Sequence, residues 1–175
     1  MKVRYISTVA LFALLVAASP AVAQQQDRRD VQLADKVTNA ITQYTRYTVF
    51  DDLGGRVENG VVTLTGKVTM PYKRDDIEKR VAKIDGVKSV NNEITVLPVS
   101  IYDDQLRSRI ARAIYGNPSF WTYATMANPP IHIIVENGRV TLTGVVLSQV
   151  DKLLAQSLAT GRGEMGVTNA LKTEM

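Results

Sequence analysis

The chain contains no cysteine, a single histidine (His132), a single tryptophan (Trp121) and only three phenylalanines in 175 residues. Without cysteine there is neither a disulfide framework nor a thiolate metal site. One histidine with no cysteine beside it leaves a metal ion short of ligands, so no metal or cofactor is expected. Long hydrophobic runs are missing too. The longest, Tyr5 to Ala18, falls short of the roughly 20 residues that span a bilayer. No nucleophile, base and orienting group occur together in a motif, and no catalytic residue is proposed.

The short apolar run instead has the setting of a secretory signal peptide over residues 1–23. Lys2 and Arg4 precede it, and Ala21-Val22-Ala23 follows with the small residues that a signal peptidase accepts, placing the expected cut before Gln24. With no cysteine after the run, a lipoprotein anchor there is excluded. Removing residues 1–23 leaves 152 residues with 19 Lys and Arg against 17 Asp and Glu, a net of +2. That balance does not supply the concentrated basic surface of a nucleic-acid binder. The expected product is an exported, soluble protein.

What the chain does have is an internal repeat. Glu58-Asn59-Gly60-Val61-Val62-Thr63-Leu64-Thr65-Gly66 returns as Glu136-Asn137-Gly138-Arg139-Val140-Thr141-Leu142-Thr143-Gly144, 78 residues later. Asn-Gly between alternating β-branched runs predicts a type I′ hairpin, since both central residues of that turn need positive φ. Gly54-Gly55 predicts a bulge or a shortened strand in the first copy. Gly66 and Gly144 are expected where a helix packs closely on the sheet. Ahead of each hairpin lies a helical stripe: Leu33, Val37, Ile41 and Tyr44 behind an N-cap at Asp30, then Leu106, Ile110, Ala113 and Ile114 behind Asp103 or Asp104, ended by Gly116-Asn117-Pro118. The helical stretches align at an offset of 73, so the second copy carries five extra residues between helix and hairpin.

A second helix follows each hairpin. Ile77, Val81 and Ile84 stripe the first, opened by Pro71 and Asp75-Asp76, and Leu153, Leu154 and Leu158 stripe the other; strands from Asn92 and Asn169 close the copies. The fold class is therefore α+β: two tandem α-β-β-α-β units, each a small three-stranded mixed sheet with two helices on one face. The expected boundaries are a frayed polar leader at 24–29, a first domain at 30–98, a linker at 99–102 and a second domain at 103–175. A linker this short predicts a packed pair, with Val99 and Ile101 buried.

On these residues the chain resembles the BON domain family, named for bacterial osmotically induced and nodulation proteins. The likeness rests on Gly60-Val61-Val62-Thr63-Leu64-Thr65-Gly66-x-Val68, on Gly138-Arg139-Val140-Thr141-Leu142-Thr143-Gly144-x-Val146, and on Gly86-Val87-x-x-Val90-x-Asn92. Gly163-Glu164-Met165-Gly166-Val167-Thr168-Asn169 is a looser match to the last. The resemblance implies a non-enzymatic, often periplasmic envelope module linked to phospholipid binding, envelope integrity and stress tolerance, and found as an interaction domain on channels, secretins and transporters. Its glycines, here Gly60, Gly66, Gly138 and Gly144, are structural.

Function is therefore sought where the copies differ. Arg107, Arg109 and Arg112 lie on the second copy's first helix, whereas the matching turns of the first carry only Lys36. They form either a solvated face or a weak, salt-sensitive contact with anionic phospholipid, at roughly 1 kcal/mol per charge. The inserted segment brings Phe120, Trp121 and Tyr123 between Pro118 and Pro129-Pro130. These rings either cover the domain's own core or offer an interfacial contact to lipid or to an envelope protein. The carboxylate pairs Asp51-Asp52, Asp75-Asp76 and Asp103-Asp104 are read as helix caps and dipole partners. His132 is read as a half-exposed strand residue.

Overall fold

The computed structural model describes residues 20–174, so most of the expected signal peptide lies outside the described residues. The first copy comprises α1 (Pro20–Thr42), β1 (Asp52–Glu58), β2 (Val61–Val68), α2 (Pro71–Val81), β3 (Ser89–Asn92) and β4 (Thr95–Val96). The second comprises α3 (Ile101–Tyr115), a 3₁₀ turn at Pro118–Phe120, α4 (Trp121–Ala124), β5 (Ile131–Glu136), β6 (Arg139–Val146), α5 (Gln149–Ala159), β7 (Gly166–Asn169) and β8 (Lys172–Thr173). In each copy the hairpin strands pair antiparallel and the closing strand runs parallel to the central one. This is the expected mixed α+β unit, twice.

The closing strand is broken in two, and the repeated asparagine explains why. Asn92 Oδ1 accepts the Ile94 N–H at 3.2 Å and Asn169 Oδ1 accepts the Leu171 N–H at 3.2 Å. Their amide groups donate to the second helix of each copy, to Glu78 Oε2 at 2.8 Å and to the Lys152 carbonyl at 2.8 Å. Each asparagine thus pins a kink to a helix, and pairing with the central strand resumes two residues later.

The hairpin turns have the predicted conformation, with φ of 53° and 80° at Asn59 and Gly60, and 52° and 74° at Asn137 and Gly138. A carboxylate from the first helix fixes each turn. Asp30 accepts the Asn59 and Gly60 N–H groups at 2.6 and 3.1 Å, and Asp103 accepts those of Asn137 and Gly138 at 2.8 Å each. Neither aspartate is an N-cap. Residues 24–29 are helical rather than frayed, which places Asp30 in mid-helix; the α3 cap is Ser100, whose hydroxyl accepts the Asp103 N–H.

Two glycine expectations are also corrected. β1 runs through Gly54-Gly55 without interruption, and Gly55 instead gives α1 room to cross the strand, since a Cβ there would meet Val37 Cγ1 at 2.9 Å. Gly66 and Gly144 make room for a carbonyl, not a helix. Their φ values are 118° and 110°, and a Cβ there would lie 2.0 Å from the Asp52 oxygen and 1.8 Å from that of Pro130.

Each copy has its own core. Val37, Ile41, Val62, Leu64, Val68, Ile77 and Val81 fill the first, and Leu106, Ile110, Ile114, Ile131, Ile133, Leu142 and Leu171 the second. The copies meet through the segment after α1, not through the linker. Phe50 packs against the second core, the Ile133 N–H donates to the Val49 carbonyl at 2.7 Å, and Lys67 pairs with Glu136. Val99 and Ile101 are instead 97% and 77% exposed, because Ser100 caps α3 at the surface and the linker never enters the interface.

The turn clamp is testable by denaturant unfolding. Asp103→Ala leaves one buried and one part-buried turn N–H without an acceptor and is expected to cost roughly 2 kcal/mol. Asp35→Ala, on the exposed face of α1, should stay within about 0.5 kcal/mol of the parent.

Candidate functional site

The structure separates the six residues that the sequence grouped as a binding surface. Arg107 is 4% exposed; its guanidinium donates to the Val135 carbonyl at 2.6 Å and pairs with Asp104. It therefore seals the outer edge of β5 and is withdrawn from any surface contact. Phe120 and Tyr123 are buried at 0% and 3% exposure. Phe120 fills the second core, and the Tyr123 hydroxyl accepts the Leu147 N–H at 2.8 Å while donating to Asp151 Oδ2 at 2.9 Å. Of the inserted rings only Trp121 faces solvent, at 71%.

Arg109 and Arg112 do share a surface. With Ile101, Asp104, Gln105 and Ser108 they line a shallow groove of about 520 Å³ along α3. The Arg109 guanidinium lies 5.9 Å from the Tyr102 ring centre, and the Tyr102 hydroxyl donates to the Gly163 carbonyl. That bond brings the loop after α5 beside the first turns of α3. The groove thus joins apolar Ile101 to basic Arg109 and Arg112, with Gly163 of that loop against Arg109 and with Arg162 and the 74% exposed Met165 on the same loop. Sequence reasoning missed Arg162 and Met165, because their nearness to α3 depends on a contact 61 residues away in sequence.

A second basic group lies in the first copy. Arg29, Lys36 and Lys88, together with Asp30 and Asp85, line a cavity of about 360 Å³ between α1 and the turn at Gly86. Basic character on this helix is therefore not confined to Lys36; α1 begins earlier than the repeat implied and carries Arg29 with it.

The paired carboxylates have separate duties, not shared acid-base chemistry. Asp51 is fully buried: Oδ2 accepts from Lys73 Nζ at 2.6 Å and from the Thr48 N–H, and Oδ1 accepts the Thr69 N–H at 2.9 Å. In the second copy the Tyr123 hydroxyl takes the Leu147 N–H in the place where Asp51 takes that of Thr69. Asp151 stands at the position of Lys73, so the insertion swaps an ion pair for a neutral donor. Asp76 accepts the Tyr44 hydroxyl at 2.7 Å, and Asp75 is bonded to Arg74. Neither Asp51-Asp52 nor Asp75-Asp76 caps a helix; the N-cap of α2 is Met70.

His132 sits where the copies meet, its ring centre 5.4 Å from that of Tyr47. Burial pushes its pKa below 6.5, opposed by Asp52 and by the nearby Asp51 and Thr48 backbones. Nδ1 is buried with no hydrogen-bond partner.

These features describe a small α+β module used twice, with a groove bearing basic and apolar side chains on one copy. The BON domain family matches residues 29–98 and 102–175, and the chain belongs to that family. Comparison with curated proteins gives no match. Among solved structures, the chain is similar to CdsD, a structural protein of the Type III secretion system of Chlamydia trachomatis. The identity is 15% over 82% of this chain and 92% of that one, with a TM-score of 0.30. The C-terminal domain of the same protein gives 13% identity over 83% and 98%, again at 0.30.

The His132 geometry carries a pH prediction. A histidine whose pKa is lowered on folding stabilises the fold in full above 6.5, and that contribution fades as pH falls below it, because the unfolded chain binds the proton first. Stability measured by urea titration should therefore drop between pH 7.5 and pH 5, and the drop should be smaller in His132→Gln.

Proposed function

We propose that this chain is a periplasmic, non-enzymatic envelope protein that docks on anionic phospholipid through the α3 face of its second copy, in support of envelope integrity or stress tolerance. The reading is supported by membership in a family linked to phospholipid binding and envelope roles and in general non-catalytic. Export through the 1–23 segment belongs to the same proposal, as does the absence of any role for nucleic acid. Among the described residues no helix is long and apolar enough to cross a membrane, so the contact proposed is peripheral.

The observation that carries the reading is the neighbourhood of Arg109 and Arg112. Exposed Ile101 lines one groove with two arginines that are not spent on internal ion pairs among the described residues. Basic groups near an anionic leaflet contribute about 1 kcal/mol each, and shallow burial of the apolar Ile101 side chain adds a comparable amount. Docking of this strength is weak, reversible and lost at high salt.

A second reading is an interaction or chaperone-like module for an outer-membrane or secretion partner. It is favoured by Leu147, Val150 and Leu153, at 57%, 71% and 56% exposure around the start of α5. Side chains of this kind serve a protein contact without needing lipid charge.

Vesicle co-sedimentation separates the readings. Low-salt binding to phosphatidylglycerol vesicles, with none to phosphatidylcholine, is the expected result. Arg112→Glu should weaken it with the unfolding midpoint unchanged, and Arg109→Glu/Arg112→Glu should abolish it while the chain still unfolds cooperatively. Equal binding to both lipids, or full binding by the double variant, would contradict the α3 site. Arg107 is left intact in this test because its loss would open the β5 edge.

A further inference from the structure

A sheet edge presents unpaired backbone groups, and proteins cover or charge such edges to prevent unwanted pairing. The two copies treat their equivalent edges differently. On β5 the Ile131 carbonyl accepts from the Tyr115 hydroxyl, the Ile133 N–H donates to Val49, and the Val135 carbonyl accepts from Arg107. All three contacts fall on the side facing away from β6.

The repeat register places Leu53, Gly55 and Val57 at the matching positions of β1, since Leu53 pairs with Gly66 as Ile131 pairs with Gly144. The helix register is equally firm, because Asp30 and Asp103 clamp the two turns in the same way. At an offset of 73, Arg107 corresponds to Ala34 and its partner Asp104 to Val31. The ion pair that plugs the second copy is thus replaced by two short apolar side chains. Among the described residues no hydrogen bond takes the Gly55 N–H or the Val57 carbonyl on that side, and β1 pairs with β2 alone.

The space vacated is a groove of about 440 Å³ between α1 and β1. Its lining is apolar at Val31, Ala34 and Val57 and acidic at Asp27, Asp30 and Glu58, with Asn59 beside them. Val31 is 63% exposed. Glu58 lies 3.4 Å from the exposed Arg56, while Asp27 has no ion-pair partner among the described residues.

We propose that this groove is a docking site for an extended segment of a partner protein, which adds to β1 as a further strand and carries an arginine beside an apolar side chain. The second copy shows the interaction in cis: an arginine donating to the carbonyl at the Val57 position, with a carboxylate next to it, and a passing carbonyl, that of Val49, on the N–H at the Gly55 position. A partner supplies the same two elements in trans. Its backbone would pair with Gly55 and Val57, giving affinity independent of sequence. Its guanidinium would reach the Val57 carbonyl and the acidic lining through charge-assisted bonds, while its apolar neighbour rests on Val31 and Ala34. The partner is a polypeptide, not a lipid, because the open groups are backbone donors and acceptors beside an acidic lining that repels phosphate.

The test uses the full chain and a short labelled peptide alternating valine and threonine around a central arginine, read by fluorescence anisotropy. Binding is expected, with a loss of about tenfold or more when the arginine is replaced by glutamate or when alternate peptide nitrogens are methylated. The variant Val31→Asp/Ala34→Arg rebuilds the second copy's plug in the first and should lose binding to the same degree at an unchanged unfolding midpoint. Absence of binding to the parent chain, or equal affinity for the methylated peptide, would overturn the proposal irrespective of how the variant folds. Dissociation of a parental dimer by the same variant, without peptide binding, would also overturn it and make a second copy the occupant.

Discussion

Much of this structure depends on the need to satisfy one row of backbone groups, the outer edge of β5. Three groups from two parts of the chain converge on it: the Tyr115 hydroxyl and the Arg107 guanidinium from α3, and the Val49 carbonyl from the first copy. The Val49 contact, with Phe50 packed into the neighbouring core, holds the two copies together. A single hydrogen bond contributes only about 1 kcal/mol net, and burying a phenylalanine side chain up to roughly 2–3 kcal/mol. The interface therefore depends on several such contacts acting together. The exposed Lys67–Glu136 pair adds little to them.

The same constraint divides the arginines by duty. Arg107 serves the fold because its position on α3 faces the strand edge, whereas Arg109 and Arg112 point along the surface groove beside Ile101. The insertion divides its aromatics in the same manner. Phe120 and Tyr123 complete the core and the polar plug below α5, and Trp121 is left to solvent. Specialisation of the second copy is thus two changes at once, a sealed edge and an exposed mixed surface, while the first copy keeps an open edge and a buried Asp51–Lys73 pair. Removing one member of that pair leaves an uncompensated buried charge, so the pair holds the first copy's fold.

The local elements could be read directly from the sequence. Periodicity placed the helices and Asn-Gly fixed both turns, because these are decided by near neighbours, whereas the closing strands begin three residues before the expected Asn92 and Asn169, at Ser89 and Gly166. The errors concern residues whose role is set by distant partners. Asp30 looks like a cap because it precedes an apolar stripe, yet its acceptors face a turn 29 residues on. Gly66 carries no local mark of the Asp52 carbonyl pressed against it. Val99 and Ile101 are apolar and close to a domain junction, but the junction is made by residues 47–50 instead. Of the candidate binding surface, Arg112 and Trp121 remain exposed and Arg109 partly so; Arg107, Phe120 and Tyr123 could be excluded only once the β5 edge and the second core were in view.

The asymmetry of the two edges is the central claim, and amide hydrogen exchange tests it without any partner. The Ile133 N–H, bonded to Val49, should be protected nearly to the level of the core strands, while the matching Gly55 N–H should exchange orders of magnitude faster. Equal protection at the two positions would mean that both edges are covered, or that neither is, and would contradict the account.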